Sequence, residues 1–110
     1  MHVAVTIVAF RNPEDIQRCL AALAESTYRD FEVVIVENGG RAAFAQLKEL
    51  VPPALPGGTR VTLVEAPGNL GFAGGINLGM DQCSQADAWW ILNPDTKPAP
   101  AARTELRGAW

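Results

Sequence analysis

The chain has 110 residues, enough for one hydrophobic core and too few for two ordinary domains. Apolar residues make up 48% and charged residues 19%, a globular rather than a disordered composition. A formal net charge of -3 without any Lys/Arg cluster argues against nucleic acid as a partner, and no apolar run approaches the about 20 residues of a membrane span.

Met1-His2-Val3-Ala4-Val5 has no basic flank and no cleavage pattern, so it does not read as a signal peptide. A cytoplasmic setting is expected, at most at the membrane periphery. Val3 to Phe10 is a continuous, β-branched run of strand length, the pattern of a strand covered on both faces. Asn12-Pro13-Glu14-Asp15 then reads as a helix start, with Asn12 as N-cap, Pro13 at the first helical position and acids in the first turn. Ile16, Cys19, Leu20, Leu23 and Ala24 follow as one apolar stripe.

Phe31 to Val36 is a second buried strand, ended by Glu37-Asn38-Gly39-Gly40. A shorter helix holding Phe44, Leu47 and Leu50 is expected to stop at Pro52-Pro53. Arg60 to Val64 is a third strand, a glycine-rich turn opens a helix near residues 71 to 85, and Trp89 to Leu92 is the fourth strand. Strand and helix alternate throughout. The expected fold is therefore α/β, a doubly wound, mostly parallel sheet of about four strands with helices on both faces. Cys19 and Cys83 fall at apolar helical positions and read as buried thiols without a metal or redox role. His2 is a lone histidine at a terminus and carries no function on sequence grounds. Trp89 and Trp90 point to opposite faces of their strand and read as core on either side.

In open α/β sheets ligands bind beyond the carboxyl ends of the strands. The polar residues there are Arg11-Asn12, Glu37-Asn38, the loop after Val64, and Asn93-Pro94-Asp95, and the topology predicts that they share one crevice. Asp95 reads either as a turn former or as a carboxylate for Mg²⁺ or Mn²⁺, with Asn93 placing an amide oxygen on the same side of an extended segment. Glu37 reads either as a solvated turn acid or as an acceptor for a base or ribose. Residues 71 to 79 contain four glycines at the entry of a helix, which cost up to about 1 kcal/mol each relative to alanine. Close helix–strand packing or close approach to a phosphate explains such a run. It matches neither a Rossmann nor a Walker A loop. Asn69 and Asn77 are its polar side chains.

Together, "VAVTIVAFRNPEDIQRCLAAL", "FEVVIVENGG", "GNLGFAGGINLGM" and "WWILNPDTKPAP" resemble the nucleotide-sugar-binding half of family 2 glycosyltransferases, the GT-A fold, and especially the rhamnosyltransferase-like branch. The resemblance implies inverting transfer of a sugar from a UDP-, dTDP- or GDP-linked donor to an acceptor hydroxyl, in cell-surface polysaccharide or glycan synthesis. It implies that Ala9, Phe10 and Arg11 hold the nucleobase, and that Glu37 and Asn38 stand where base or ribose is recognised. Asn69, Gly71, Phe72 and Asn77 would line the donor pocket. Asp95, with Asn93, would hold the Mg²⁺ or Mn²⁺ ion.

Three features depart from the family pattern. Phe10-Arg11 replaces the more usual Tyr-Asn, Glu37 replaces Asp, and Asn93 replaces the first Asp of Asp-x-Asp. The acceptor-binding half and its general base are also expected to be absent from these 110 residues. A non-catalytic nucleotide-binding or interaction module is therefore the competing expectation. Self-association through an exposed sheet edge is expected as well. A flavodoxin-like receiver domain would need an acidic cluster after the first strand, where Phe10-Arg11-Asn12 stands instead.

Overall fold

The β-branched N-terminal run forms strand β1 (Val3–Ala9), and Pro13 opens helix α1 (Pro13–Ala24). Strand β2 (Phe31–Glu37), helix α2 (Arg41–Leu50), strand β3 (Val61–Glu65), helix α3 (Gly71–Gln82) and strand β4 (Ala88–Leu92) follow. These elements come from a computed structural model, which describes residues 1–94. The sheet order is β3-β2-β1-β4, with every neighbouring pair parallel. Such a sheet needs cover on both faces. The central strand β1 is accordingly buried along its whole length, and β2 everywhere except at Glu32.

One face carries Val5, Ile7, Val33, Ile35, Trp90 and Leu92 against Ile16, Cys19, Leu20 and Leu23 of α1 and Leu47 of α2. Each large side chain fully buried there contributes about 1.5–3 kcal/mol. The opposite face packs against α3 and the turn after it, where Ala4 and Val34 meet Cys83 and Ala86. Gly75 and Gly79 are one helical turn apart and bring the α3 backbone onto the sheet. A Cβ at Gly79 would come 2.6 Å from Thr6 Cγ2, and one at Gly75 would come 2.9 Å from Val8 Cγ1. Close packing therefore accounts for these two glycines.

The structure corrects several local expectations. Asn12 occupies the N-cap position of α1 without capping it, because its Oδ1 accepts the Phe10 N–H at 2.8 Å. Helix α2 holds Phe44, Leu47 and Leu50 as expected, although only Leu47 is buried and Leu50 is 41% exposed. The third helix ends at Gln82, where the Cys83 N–H turns to the Met80 carbonyl. Trp90 is core, whereas Trp89 is half-buried beside the smaller cluster and donates its Nε1–H to the Cys83 carbonyl at 3.2 Å.

Cys19 and Cys83 are both buried and not disulfide-bonded. Burial, reinforced by Glu32 beside it, pushes the Cys83 thiol up to about 12. Among the described residues no cluster of three His, Cys, Asp or Glu side chains can hold a metal ion, and no helix is long and apolar enough to cross a membrane.

His2 is not isolated. Its Nδ1 lies 2.7 Å from Asp30 Oδ1 and its Nε2 lies 2.7 Å from Glu32 Oε2, which ties the start of β1 to the start of β2. The hydrogen bond to Glu32, then that to Asp30, raises the imidazole above its ordinary 6.5, while His2 lowers Asp30 below its ordinary 3.8. A raised histidine contributes stability that is complete below 6.5 and is lost as pH climbs through the folded value. A depressed aspartate contributes stability that is complete above 3.8 and is lost as pH falls through its folded value. The cluster is therefore strongest between those two ordinary values. Urea unfolding of wild type and His2→Gln is expected to differ at pH 5.5 and to converge at alkaline pH. The His2–Glu32 pair is partly solvated, so its share stays below about 1 kcal/mol. A difference that grows with pH would contradict the assignment.

Candidate functional site

The four strand ends meet at a crevice of about 490 Å³, lined by Phe10 and Asn12 after β1, Asn38 after β2, Asn69, Gly71 and Phe72 after β3, and Asn93 and Pro94 after β4. That volume lies within the usual range of small-molecule sites. Pro94 ends the last strand because it has no N–H to extend the ladder.

The first loop is held by buried acceptors. Arg11 has the left-handed φ of 55°, an uncommon conformation for a side-chain-bearing residue. Its backbone N–H donates to Glu37 Oε2 at 3.1 Å and its Nε–H donates to the Gly39 carbonyl at 3.0 Å. Its guanidinium carbon stands 5.3 Å from the centre of the Phe10 ring, a cation–π contact. Glu37 Oε2 also accepts the Gly39 N–H at 2.9 Å, and the residue is only 1% exposed. The expectation of a solvated turn acid is thereby corrected: Glu37 closes the β1–α1 and β2–α2 loops onto each other.

Asn38 does the same for the glycine-rich segment. It is 5% exposed, its Nδ2 donates to the Gly71 carbonyl at 3.0 Å, and its Oδ1 accepts the Leu70 N–H at 3.3 Å. Gly71 turns with φ 73°, where a Cβ would be strained, and its N–H donates to Asn69 Oδ1 at 3.0 Å. The start of α3 is thus fixed at the crevice. Ala9 is fully buried, and its carbonyl accepts the Asn38 N–H at 2.8 Å.

Of the sequence-derived candidates, Phe10, Asn38, Asn69, Gly71, Phe72 and Asn93 line the crevice. Ala9, Arg11 and Glu37 stand behind it, and Asn77 lies exposed farther along α3 without lining it. Asp95 lies outside the described residues. Asn12 and Val8 line the crevice although sequence reasoning gave them no binding role. Asn12 was legible only as a polar residue just beyond a strand end.

The lining is neutral and amide-rich. Asn12 and Asn69 spend their side-chain oxygens on backbone N–H groups, which leaves their NH₂ groups as donors. Phe10 and Phe72 are 46% and 58% exposed, so two aromatic side chains stand open at the site. No carboxylate lines the crevice among the described residues, and Glu37 Oε2 is committed to two N–H groups. A hard divalent cation prefers at least one carboxylate. The described residues therefore fit such an ion only in combination with Asp95, which follows Pro94 in the chain.

Comparison with known proteins agrees with this fold. The family profile described as "Glycosyl transferase family 2" matches residues 4–106. No curated protein matches the chain. Among solved structures, S. aureus TarS 1-349 superposes with a TM-score of 0.71 at 16% identity, covering 98% of this chain and 32% of that one. The same S. aureus protein in complex with UDP superposes with a TM-score of 0.71 at 16% identity, covering 98% and 31%. The chain thus spans 32% or less of the length of these structures, and at this identity the likeness is one of fold, the GT-A arrangement. With the profile covering nearly all of its residues, the chain belongs to glycosyl transferase family 2.

Proposed function

We propose that the chain is the donor-binding part of an inverting glycosyltransferase, and that its crevice takes the nucleoside diphosphate of an activated sugar. The observation that carries this is the convergence of four strand ends on one amide-lined, aromatic-edged crevice in a family 2 chain. Phe10 and Phe72 offer flat apolar surface to a base. The NH₂ groups of Asn12 and Asn69, with the start of α3, offer donors to phosphate or sugar oxygens. The UDP complex of TarS, a protein of the same fold, supports a uridine nucleotide ahead of dTDP or GDP.

Asp95 and Asn93 would hold Mg²⁺ or Mn²⁺, which neutralises the charge that gathers on the departing diphosphate. In the reaction an acceptor hydroxyl bonds to the anomeric carbon as the bond to the diphosphate breaks, and the hydroxyl proton passes to a base. The described residues that line the crevice would orient the donor and hold the leaving group, and no carboxylate or histidine stands among them to take that proton. The Asn93-Pro94-Asp95 ending supports the rhamnosyltransferase-like branch and, with it, a role in cell-surface glycan synthesis.

Calorimetric titration with UDP, GDP and dTDP, with and without Mn²⁺, tests the assignment. UDP is expected to bind more tightly with Mn²⁺. Asp95→Ala is expected to lower that affinity about tenfold or more, because a charge-assisted contact contributes about 1.5–3 kcal/mol. Failure of all three nucleotides to bind, with or without metal, would overturn the proposal and leave a non-catalytic module.

A further inference from the structure

The opposite, N-terminal pole of the sheet holds a cavity of about 580 Å³ that the donor reading does not use. His2, Arg29, Asp30, Glu32, Thr59 and Arg60 line it, together with the glycine turn at Gly57 and Gly58. Its two carboxylates each face internal partners. Asp30 Oδ1 and Glu32 Oε2 each take a nitrogen of His2 at 2.7 Å, Glu32 Oε1 accepts from Cys83 Sγ at 3.4 Å, and Asp30 Oδ2 stands 3.6 Å from the N-terminal ammonium.

Its donors are not occupied. Neither the Arg29 nor the Arg60 guanidinium has an ion pair or hydrogen bond among the described residues. Thr59 is only 8% exposed, and its hydroxyl likewise has no partner among them. Arg29 rests against the turn, where a Cβ at Gly57 would come 2.9 Å from its Nη1, and Gly57 has a φ of 100°. The side-chain donors of the cavity left without a protein partner among the described residues are therefore the two guanidinium groups and the Thr59 hydroxyl.

We infer that this pole is a second ligand site, separate from the strand-end crevice, which binds a phosphate-bearing small molecule through Arg29, Arg60 and Thr59. Phosphate oxygens match the guanidinium fork in two-point contact, and the Thr59 hydroxyl supplies the third donor. The inference does not depend on the crevice binding a nucleotide.

The test is a metal-free NMR titration of the full chain with inorganic phosphate, pyrophosphate and UDP at constant ionic strength and pH 6.5. Saturable shifts at the Gly57, Gly58, Thr59 and Arg60 amides are expected, with pyrophosphate binding more tightly than phosphate. If UDP gives the same shifts, the ligand is a nucleotide; if only the inorganic ions do, it is free phosphate or diphosphate. Arg29→Gln and Arg60→Gln should each weaken pyrophosphate binding about tenfold, and Thr59→Val should weaken it less. Both arginines are exposed, so an unchanged spectral dispersion verifies that the variants fold. Unsaturable shifts spread over the surface, shifts confined to Phe10, Asn38 and Gly71, or binding that survives both arginine replacements would overturn the inference.

Discussion

Replacing Glu37 by alanine is expected to lower the unfolding free energy by about 3 kcal/mol, whereas Glu37→Gln should cost about 1 kcal/mol or less. The difference lies in what each variant leaves behind. Alanine strands the N–H groups of Arg11 and Gly39, both of which donate to Glu37 Oε2. A buried donor left without an acceptor costs about 1–3 kcal/mol. It also opens a void at a residue that is 1% exposed, and it frees a loop whose Arg11 holds a left-handed φ of 55°. Glutamine has nearly the same shape and keeps a carbonyl oxygen for both donors. The Gly39 position depends on the same contact, since a Cβ there would come 2.8 Å from Glu37 Oε2. Urea unfolding measures the pair of variants through the shift in midpoint at constant m-value. Equal losses for alanine and glutamine would show that the negative charge, rather than the two-donor bracket, is what matters.

Gly79→Ala is expected to destabilise the chain by about 1–2 kcal/mol, against the trend for glycines in helices. Helix propensity alone favours alanine by about 1 kcal/mol. The new Cβ, however, would stand 2.6 Å from Thr6 Cγ2 and 3.3 Å from Val36 Cγ2. Thr6 is fully exposure-free on the central strand and β-branched, so it cannot rotate out of the way. Overpacking of this kind costs about 1–3 kcal/mol and more when the backbone must move. Gly79→Leu should therefore be worse. Gly68→Ala is the control, because a Cβ there meets nothing within 4 Å. Thermal unfolding should place Gly68→Ala near wild type and Gly79→Ala clearly below it. A stabilised Gly79→Ala would mean that α3 does not lie against the sheet as described.

The strands and the crevice were legible because they follow from short-range pattern. β-branched runs predict a covered parallel sheet, and alternation predicts that polar strand ends gather on one side. Glu37 was not legible, because both sequence readings pointed it outward. Its inward turn depends on Arg11, 26 residues earlier, adopting a backbone conformation that its residue type does not announce. The glycine run was half legible. Spacing of one helical turn permits packing or ligand approach, and only the sheet shows that Gly75 and Gly79 pack while Gly71 turns the chain. Asn12 has cap chemistry, yet the tight turn after β1 brings the Phe10 N–H to it first. His2 gave no signal because its partners are 28 and 30 residues away in the chain.

The most direct measurement is paramagnetic broadening of backbone amides by Mn²⁺ in the presence of UDP. With the cation held on a diphosphate in the strand-end crevice, the Phe10, Asn38, Gly71 and Asn93 signals should broaden at low Mn²⁺ concentration, and Asp95→Ala should abolish the effect. Broadening that spares these four residues, or that survives loss of the Asp95 carboxylate unchanged, would contradict the donor-site account.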